Sequence, residues 1–391
     1  MKDIVILSGV RTPIGSFNGS LSSVPATRLG SIAIEEAIKR AGIQKEDIDE
    51  VIMGNVLSAG LGQAPARQAA IGAGLPNRVG ATTINKVCGS GLKAVALASQ
   101  AISCKDADII VAGGMESMSR APYLLEGARK GYKMGHGQVI DSMIKDGLWD
   151  VYNDFHMGSA AEICAEKFSF TRAELDEYAL QSYRRAIEAQ THKGFSDEIV
   201  PVEIGHKQEK IMVSEDEEPK RAKLDGLPAL KPAFKKDGKI TAGNSSHIND
   251  GAAAVVVASP EKASSLGIRP VARIIGYASS ALAPEWFTIA PVEAIKKVLK
   301  RTGLSISDID LFEINEAFAA VSLAVNRELG LDPAKVNIRG GAVALGHPIG
   351  ASGARLLVTL LYALRDKEAR FGLASLCIGG GEAIAMIIER I

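Results

Sequence analysis

The strongest constraint on the fold is a repetition inside the chain. Lys39-Arg40-Ala41-Gly42-Ile43, Asp47-Ile48-Asp49 and Val51-Ile52-Met53-Gly54 return as Lys300-Arg301-Thr302-Gly303-Leu304, Asp308-Ile309-Asp310 and Phe312-Glu313-Ile314-Asn315, 261 positions on. Ser90-Gly91-Leu92-Lys93 is matched by Ser352-Gly353-Ala354-Arg355 at 262 positions, and Ala112-Gly113-Gly114-Met115-Glu116 by Ile378-Gly379-Gly380-Gly381-Glu382 at 266. Three ordered matches at a near-constant offset indicate a duplicated unit, expected to pack as a pseudo-twofold pair. With 391 residues, the chain is also too long for one ordinary core.

Strand and helix patterns alternate within the unit. Ile4 to Leu7 reads as a strand, within an N-terminus (Met1 to Gly9) too short and too quickly polar for a signal peptide. Leu29 to Ala41 reads as an amphipathic helix stopped by Gly42, and Val51–Met53 and Asp108–Ala112 as further strands. Such alternation predicts an α/β domain with a substantially parallel sheet. Residues 1–118, to which about 250–267 return, make the first half, 268–391 the second, and 119–249 are an insertion.

Thr82-Thr83-Ile84 reads as the end of a buried strand, and the Ala- and Leu-rich run from Leu92 to Ile102 as a buried helix. Asn85-Lys86-Val87-Cys88-Gly89-Ser90-Gly91 joins them, so Cys88 stands at a strand-to-helix turn near a helix N-terminus. Unpaired N–H groups and the macrodipole there favour an anion, and would lower a thiol from its usual pKa of about 8.5 toward thiolate. Cys88 could equally be one more buried small hydrophobe, the usual fate of a cysteine.

The second half supplies three further polar residues among glycines. Asn315 stands at the tip of the strand Phe312-Glu313-Ile314, His347 in the small-residue loop Gly340 to Pro348, and Cys377 at a strand end before Gly379-Gly380-Gly381. Open α/β sheets place their chemistry at such strand ends, and the glycines leave N–H groups free to face an oxyanion. His347 falls 262 positions after Asn85, in the loop before the second copy's buried helix. A pseudo-twofold packing would therefore bring Cys88 and His347 to a shared face.

The insertion opens a helix with the capping box Thr171-Arg172-Ala173-Glu174, with Leu175, Tyr178, Ala179, Ala186 and Ile187 on one face and Gly194 as its stop. Glu215-Asp216-Glu217-Glu218 reads as a solvated acidic loop, and Lys220-Arg221-Ala222-Lys223 as a basic run able to meet phosphates. Net charge is zero, which gives no bulk electrostatic reason for a nucleic-acid or membrane-surface partner. Four cysteines without a C-x-x-C pair argue against a metal site or disulfide framework and fit a reducing, cytoplasmic setting. No apolar run reaches the roughly 20 residues of a membrane span.

The motifs Asn85-Lys86-Val87-Cys88-Gly89-Ser90-Gly91, Asn315-Glu316-Ala317-Phe318, Gly346-His347-Pro348-Ile349-Gly350 and Cys377-Ile378-Gly379-Gly380-Gly381 resemble, in this order and spacing, those of the thiolases, the acyl-CoA C-acetyltransferases. The resemblance covers essentially the whole chain. It implies duplicated α/β domains in a five-layered αβαβα arrangement with an inserted loop domain, and a homotetramer or sometimes a dimer. It implies acetyl-CoA C-acetyltransferase activity on acetyl-CoA and short 3-ketoacyl-CoA, with coenzyme A as substrate and no permanently bound cofactor.

By the same resemblance Cys88 carries the acyl group, His347 takes its proton and Cys377 moves the α-proton. One oxyanion meets His347 and a water on Asn315, the other the N–H groups of Cys88 and Gly379. Coenzyme A is expected against His156, Met157, Ser246, Phe234 and Phe318, with Arg221 at its nucleotide phosphate. Two positions depart from the family pattern. His247 replaces a small residue, and Phe287-Thr288-Ile289-Ala290-Pro291 replaces a Met-Gly-x-Gly-Pro covering loop. The rivals are a β-ketoacyl synthase relative, which would use one Cys and two His, a broader-chain 3-ketoacyl-CoA thiolase, and a catalytically silent acyl-CoA carrier. Cys377 speaks against the first, and retention of Cys88, Asn315, His347 and Cys377 against the last.

Overall fold

The computed structural model describes residues 4–205 and 210–391; Met1, Lys2 and Asp3 of the N-terminal stretch lie outside them. The first half contributes β1 (Ile4–Arg11), α1 (Ala26–Ala41), β2 (Glu50–Gly54), α2 (Pro65–Gly72), β3 (Gly80–Ile84), α3 (Ser90–Cys104) and β4 (Ile109–Ser117). The insertion carries α4 (Met157–Lys167) and α5 (Arg172–Thr191), after which β5 (Asn249–Ala258) enters the sheet between β1 and β4. The second half contributes β6 (Ala272–Ala281), α6 (Ala290–Thr302), β7 (Leu311–Ile314), α7 (Ala319–Leu329), α8 (Ser352–Asp366), β8 (Phe371–Ile378) and β9 (Glu382–Arg390).

The strands run β7-β8-β9-β6-β1-β5-β4-β2-β3, with the two-residue strand Gly15–Ser16 alongside β5. The order is the same read outward from the centre in both directions: β1-β5-β4-β2 in one half and β6-β9-β8-β7 in the other. Among the described residues, the sheets of the two halves pair directly through Ile4 with Ile274, Val5 with Arg273 and Ile6 with Ala272. Helices α1 and α2 cover the outer face of the first half and α6 that of the second, while α3 and α8 lie between the two halves. This makes five layers.

The two central helices explain two glycines. A Cβ on Gly91 would stand 2.7 Å from the Ala354 amide nitrogen, and one on Gly353 2.4 Å from that of Leu92. The helices cross backbone to backbone at equivalent positions of the repeat, a contact only glycine permits. Around the crossing, Leu92, Val95, Ala96, Leu356, Leu357 and Leu360 are fully buried, and the strands of both halves pack on them.

Four expectations change. The sheet is mixed: β2 runs parallel to β3 and β4, and β7 to β8, but β5, β6 and β9 pair antiparallel to their neighbours. Only three residues separate β8 from β9, and so short a connection forces an antiparallel pair. Second, β3 is not buried; it is the edge strand, and Thr82 is exposed. Third, the acidic run is not a solvated loop. Asp216 is buried and forms a two-toothed bond to Arg11, at 2.7 and 2.9 Å, while Glu217 accepts the amides of Ser16 and Ser20. Arg11, itself fully buried, also bonds Glu198 at 2.6 Å, so these charges tie the insertion to β1. Fourth, α5 keeps its capping box but ends at Thr191; Lys193, not Gly194, takes the left-handed turn, with φ 58°.

Among the described residues the stretch Val87–Cys104 has the length and composition of a membrane span, contrary to the sequence-based expectation. Here its helical part is α3, packed between the halves.

Candidate active site

The turn that carries Cys88 is strained. Val87 has φ 45°, a left-handed conformation that a β-branched residue rarely adopts and that costs about 1–3 kcal/mol. Short bonds hold it. Asn85 Oδ1 accepts the Val87 amide at 2.9 Å, and Ser90 Oγ accepts the Lys86 amide at 2.8 Å while donating to the Val87 carbonyl at 2.7 Å. The turn delivers the half-buried Cys88 sulfur to the wall of a cavity of about 370 Å³. Burial pushes the thiol up to about 11, against the opposing hydrogen bonds from the amides of Gly379 and Cys88. The expected thiolate is therefore not the resting state: removing the sulfur from water outweighs the helix N-terminus.

His347 lines the same cavity. Its Nδ1 lies 2.6 Å from Ser352 Oγ, and that hydroxyl donates to the Pro348 carbonyl at 2.9 Å. With its proton so committed, Ser352 Oγ accepts from Nδ1–H, and Nε2 carries the free lone pair. Asn315 Nδ2 approaches that Nε2 at 3.5 Å. Burial, then the charge of Arg355, lowers the imidazole to about 3, so it stays neutral in the closed site. The His347 amide donates to Asn249 Oδ1 at 3.0 Å. A Cβ on Gly346, at φ 104°, would meet that amide group at 2.3 Å, so this approach requires glycine. Ser90 and Ser352, equivalent in the repeat, each open a central helix and each fasten the preceding loop, one around Cys88 and the other around His347.

Gly379 lines the cavity too, whereas Asn315 and Cys377 are fully buried behind its wall. Cys377 is raised well above an ordinary thiol by burial and by its nearness to Cys88. The site thus holds two protonated thiols, one neutral imidazole with a bare nitrogen, and amides facing the Cys88 sulfur. It can transfer a proton as sulfur attacks a carbonyl, and it can receive the resulting oxyanion.

Of the residues expected to meet coenzyme A, His156, Met157, Ser246, Phe234 and Phe318 all line the cavity. His156 stacks on Phe234 at 4.8 Å, and Phe318 meets Phe234 edge-on at 6.2 Å. The Ser246 amide donates to the Ala317 carbonyl at 2.9 Å, which seats Ser246 beside Phe318. Arg221 is exposed and does not line the cavity. His247 does, with Nε2 2.7 Å from the Tyr183 hydroxyl and Nδ1 3.9 Å from Glu218. Phe287 is buried and lines the cavity as well, packed near Met157, Phe318 and Cys377.

Two buried carboxylates that sequence reasoning passed over position the loops. Glu116 accepts from Asn55 Nδ2 at 2.9 Å and from the amides of Val56, Leu57 and Gly350 at 3.0, 3.1 and 2.9 Å, joining both halves beneath the site. Glu316 accepts from Tyr178, Ser182, Asn337 and the Val343 amide, joining α5 to the loop before His347. Their signal was present: Glu116 closes the repeated segment Ala112-Gly113-Gly114-Met115-Glu116, and Glu316 follows Asn315 in a motif already singled out.

The family model described as thiolase, N-terminal domain, matches residues 4–261, and that described as thiolase, C-terminal domain, residues 268–390. Acetyl-CoA acetyltransferase 1 of Arabidopsis thaliana is 55% identical, over 99% of this chain and 94% of its own. The crystal structure of the Bacillus anthracis acetyl-CoA acetyltransferase matches with a TM-score of 0.98 at 42% identity, covering 100% of this chain and 99% of that one. A thiolase from Ascaris suum, solved in complex with coenzyme A, matches with a TM-score of 0.95 at 46% identity over 100% of both chains. A duplicated fold, a cysteine turn facing a histidine loop and agreement along the whole length together make this chain a member of the thiolase family.

Proposed function

We propose that this chain is an acetyl-CoA C-acetyltransferase, joining two acetyl-CoA into acetoacetyl-CoA and coenzyme A and running the reverse thiolysis. The observation that carries the reading is the meeting of Cys88, the bare Nε2 side of His347 and the Gly379 amide on one apolar cavity. Because both partners rest neutral, attack and proton transfer are coupled. Cys88 Sγ bonds to the thioester carbonyl carbon, its proton passes to His347 Nε2, and coenzyme A leaves with that proton. The charge on the tetrahedral oxygen falls to the Cys88 and Gly379 amides; losing one such donor costs about 2.7–4 kcal/mol. Cys377 next gives its own proton to the neutral His347 Nε2; its thiolate then takes the α-proton of a second acetyl-CoA, and the enolate oxygen is met by the protonated His347 and a water on Asn315. The enolate carbon attacks the acetyl-cysteine carbonyl, the carbon–sulfur bond breaks, and His347 returns its proton to the Cys88 sulfur, which restores the thiol.

The aromatic wall of His156, Phe234 and Phe318 suits a pantetheine arm, and Met157 and Phe287, which line the same cavity, are the residues we take to limit the acyl chain. Arg221 remains our candidate for the nucleotide phosphate, outside the cavity. We read residues 119–249 as the inserted coenzyme-binding unit between the halves 1–118 and 268–391, the working form as a homotetramer, and the location as cytoplasmic. The four free cysteines accord with that location. Thiolysis of acetoacetyl-CoA should far exceed that of 3-ketohexadecanoyl-CoA. Equal or faster turnover of the long substrate would favour the broader-chain alternative and refute this one.

A further inference from the structure

The amide of Cys88 belongs to the first half and that of Gly379 to the second, yet both point at one sulfur. Something must set the gap between two segments that lie almost 300 positions apart in the chain. Below the sulfur, Gly89 packs against Ile378, where a Cβ would meet Ile378 Cδ1 at 2.4 Å. Across the gap runs one ion pair, from Lys86 Nζ to Glu382. Lys86 is the residue before the strained Val87. Glu382 opens β9 directly after Gly380 and Gly381, whose φ values of 88° and 87° leave that loop without side chains to steady it. The pair is half-exposed, at 24% and 38%, so it adds little to global stability. It is nonetheless placed beside both amides, one residue before Val87 on one side and directly after the Gly380–Gly381 turn on the other.

We propose that Lys86 and Glu382 are positioning residues that clamp the cysteine turn to the glycine loop and so set the oxyanion site. The inference rests on Cys88 being the acylated residue. Neither side chain touches the reacting atoms; both act through the backbone amides. Coupled function follows, since losing either end releases the same gap.

The test is rapid-quench acetylation of the full-length enzyme by acetyl-CoA, read by mass spectrometry on Cys88, for wild type, Lys86→Met, Glu382→Gln, the double variant and Lys86→Arg. Each single variant should slow acetylation about 10-fold, below the 10²–10³ of removing an oxyanion donor outright. The double variant should be no slower than either single one, Lys86→Arg should keep most of the rate, and KM for coenzyme A and the melting temperature should stay near wild type. The wild-type rate should also fall with ionic strength, as a half-exposed pair is screened, a readout that holds even where a variant fails to fold. Wild-type rates in the single variants, losses that multiply in the double variant, or a change confined to KM would overturn the clamp. An acetyl group absent from Cys88 of the wild type would overturn the functional reading itself.

Discussion

Replacing Ser352 by Ala removes one oxygen from the buried site, and its consequence can be worked out atom by atom. The Pro348 carbonyl loses the serine hydroxyl but keeps the amides of Ala351 and Ser352, each at 3.0 Å, so it is not orphaned. The His347 Nδ1–H loses its acceptor at 2.6 Å and has no other. A buried donor left unmet costs about 1–3 kcal/mol. The ring can escape that cost by moving its proton to Nε2, where the Asn315 carboxamide oxygen, otherwise without a partner, can accept it after an amide flip. That tautomer cannot take a proton from Cys88. A preference of about 1–3 kcal/mol translates into a roughly 5- to 150-fold loss of competent enzyme. Acetylation of Cys88 and kcat for acetoacetyl-CoA thiolysis should fall by that factor while KM for coenzyme A holds. Nitrogen NMR of labelled His347 should show the proton shifting to Nε2. A kcat within about twofold of wild type would show that Ser352 does not set the tautomer, and the base would need another account.

With Cys88 at about 11, roughly one molecule in 10⁴ holds the thiolate at pH 7, so iodoacetamide alkylation of the free enzyme should rise about tenfold per pH unit from 6 to 9. An inflection below pH 7 would instead reveal a stable thiolate–imidazolium pair. Gly91→Ala would drive a methyl to 2.7 Å from the Ala354 nitrogen, a backbone atom that cannot step aside. The overpacking should cost about 1–3 kcal/mol and lower the thermal midpoint by about 1–4 °C, so an unchanged melt would contradict the helix crossing. His247→Gly should open the cavity beside Ser246 and raise the turnover of longer 3-ketoacyl-CoA relative to acetoacetyl-CoA by about 10-fold, in line with what a few methylenes of room are worth. An unchanged ratio would remove His247 from the determinants of chain length.

The duplication, the central helices beginning at Ser90 and Ser352, and the approach of His347 to the Cys88 turn were all legible in the sequence. Each depends on local periodicity, glycine placement or the repeat itself, and those survive in one dimension. The tertiary structure decided the rest. Whether Thr82 is buried depends on which strand ends the sheet. Whether Asp216 meets water depends on Arg11, 205 positions away. The state of the Cys88 thiol is decided in the same way: a helix N-terminus is visible in the sequence, but the desolvation that overrides it comes from residues of both halves. The sequence marks Ser352 as the counterpart of Ser90 and a helix start, but the use of its hydroxyl becomes visible only once the loop folds His347 back over it. Local patterns specify which backbone forms; the dielectric around a charge and the partner of a polar atom are properties of everything packed nearby.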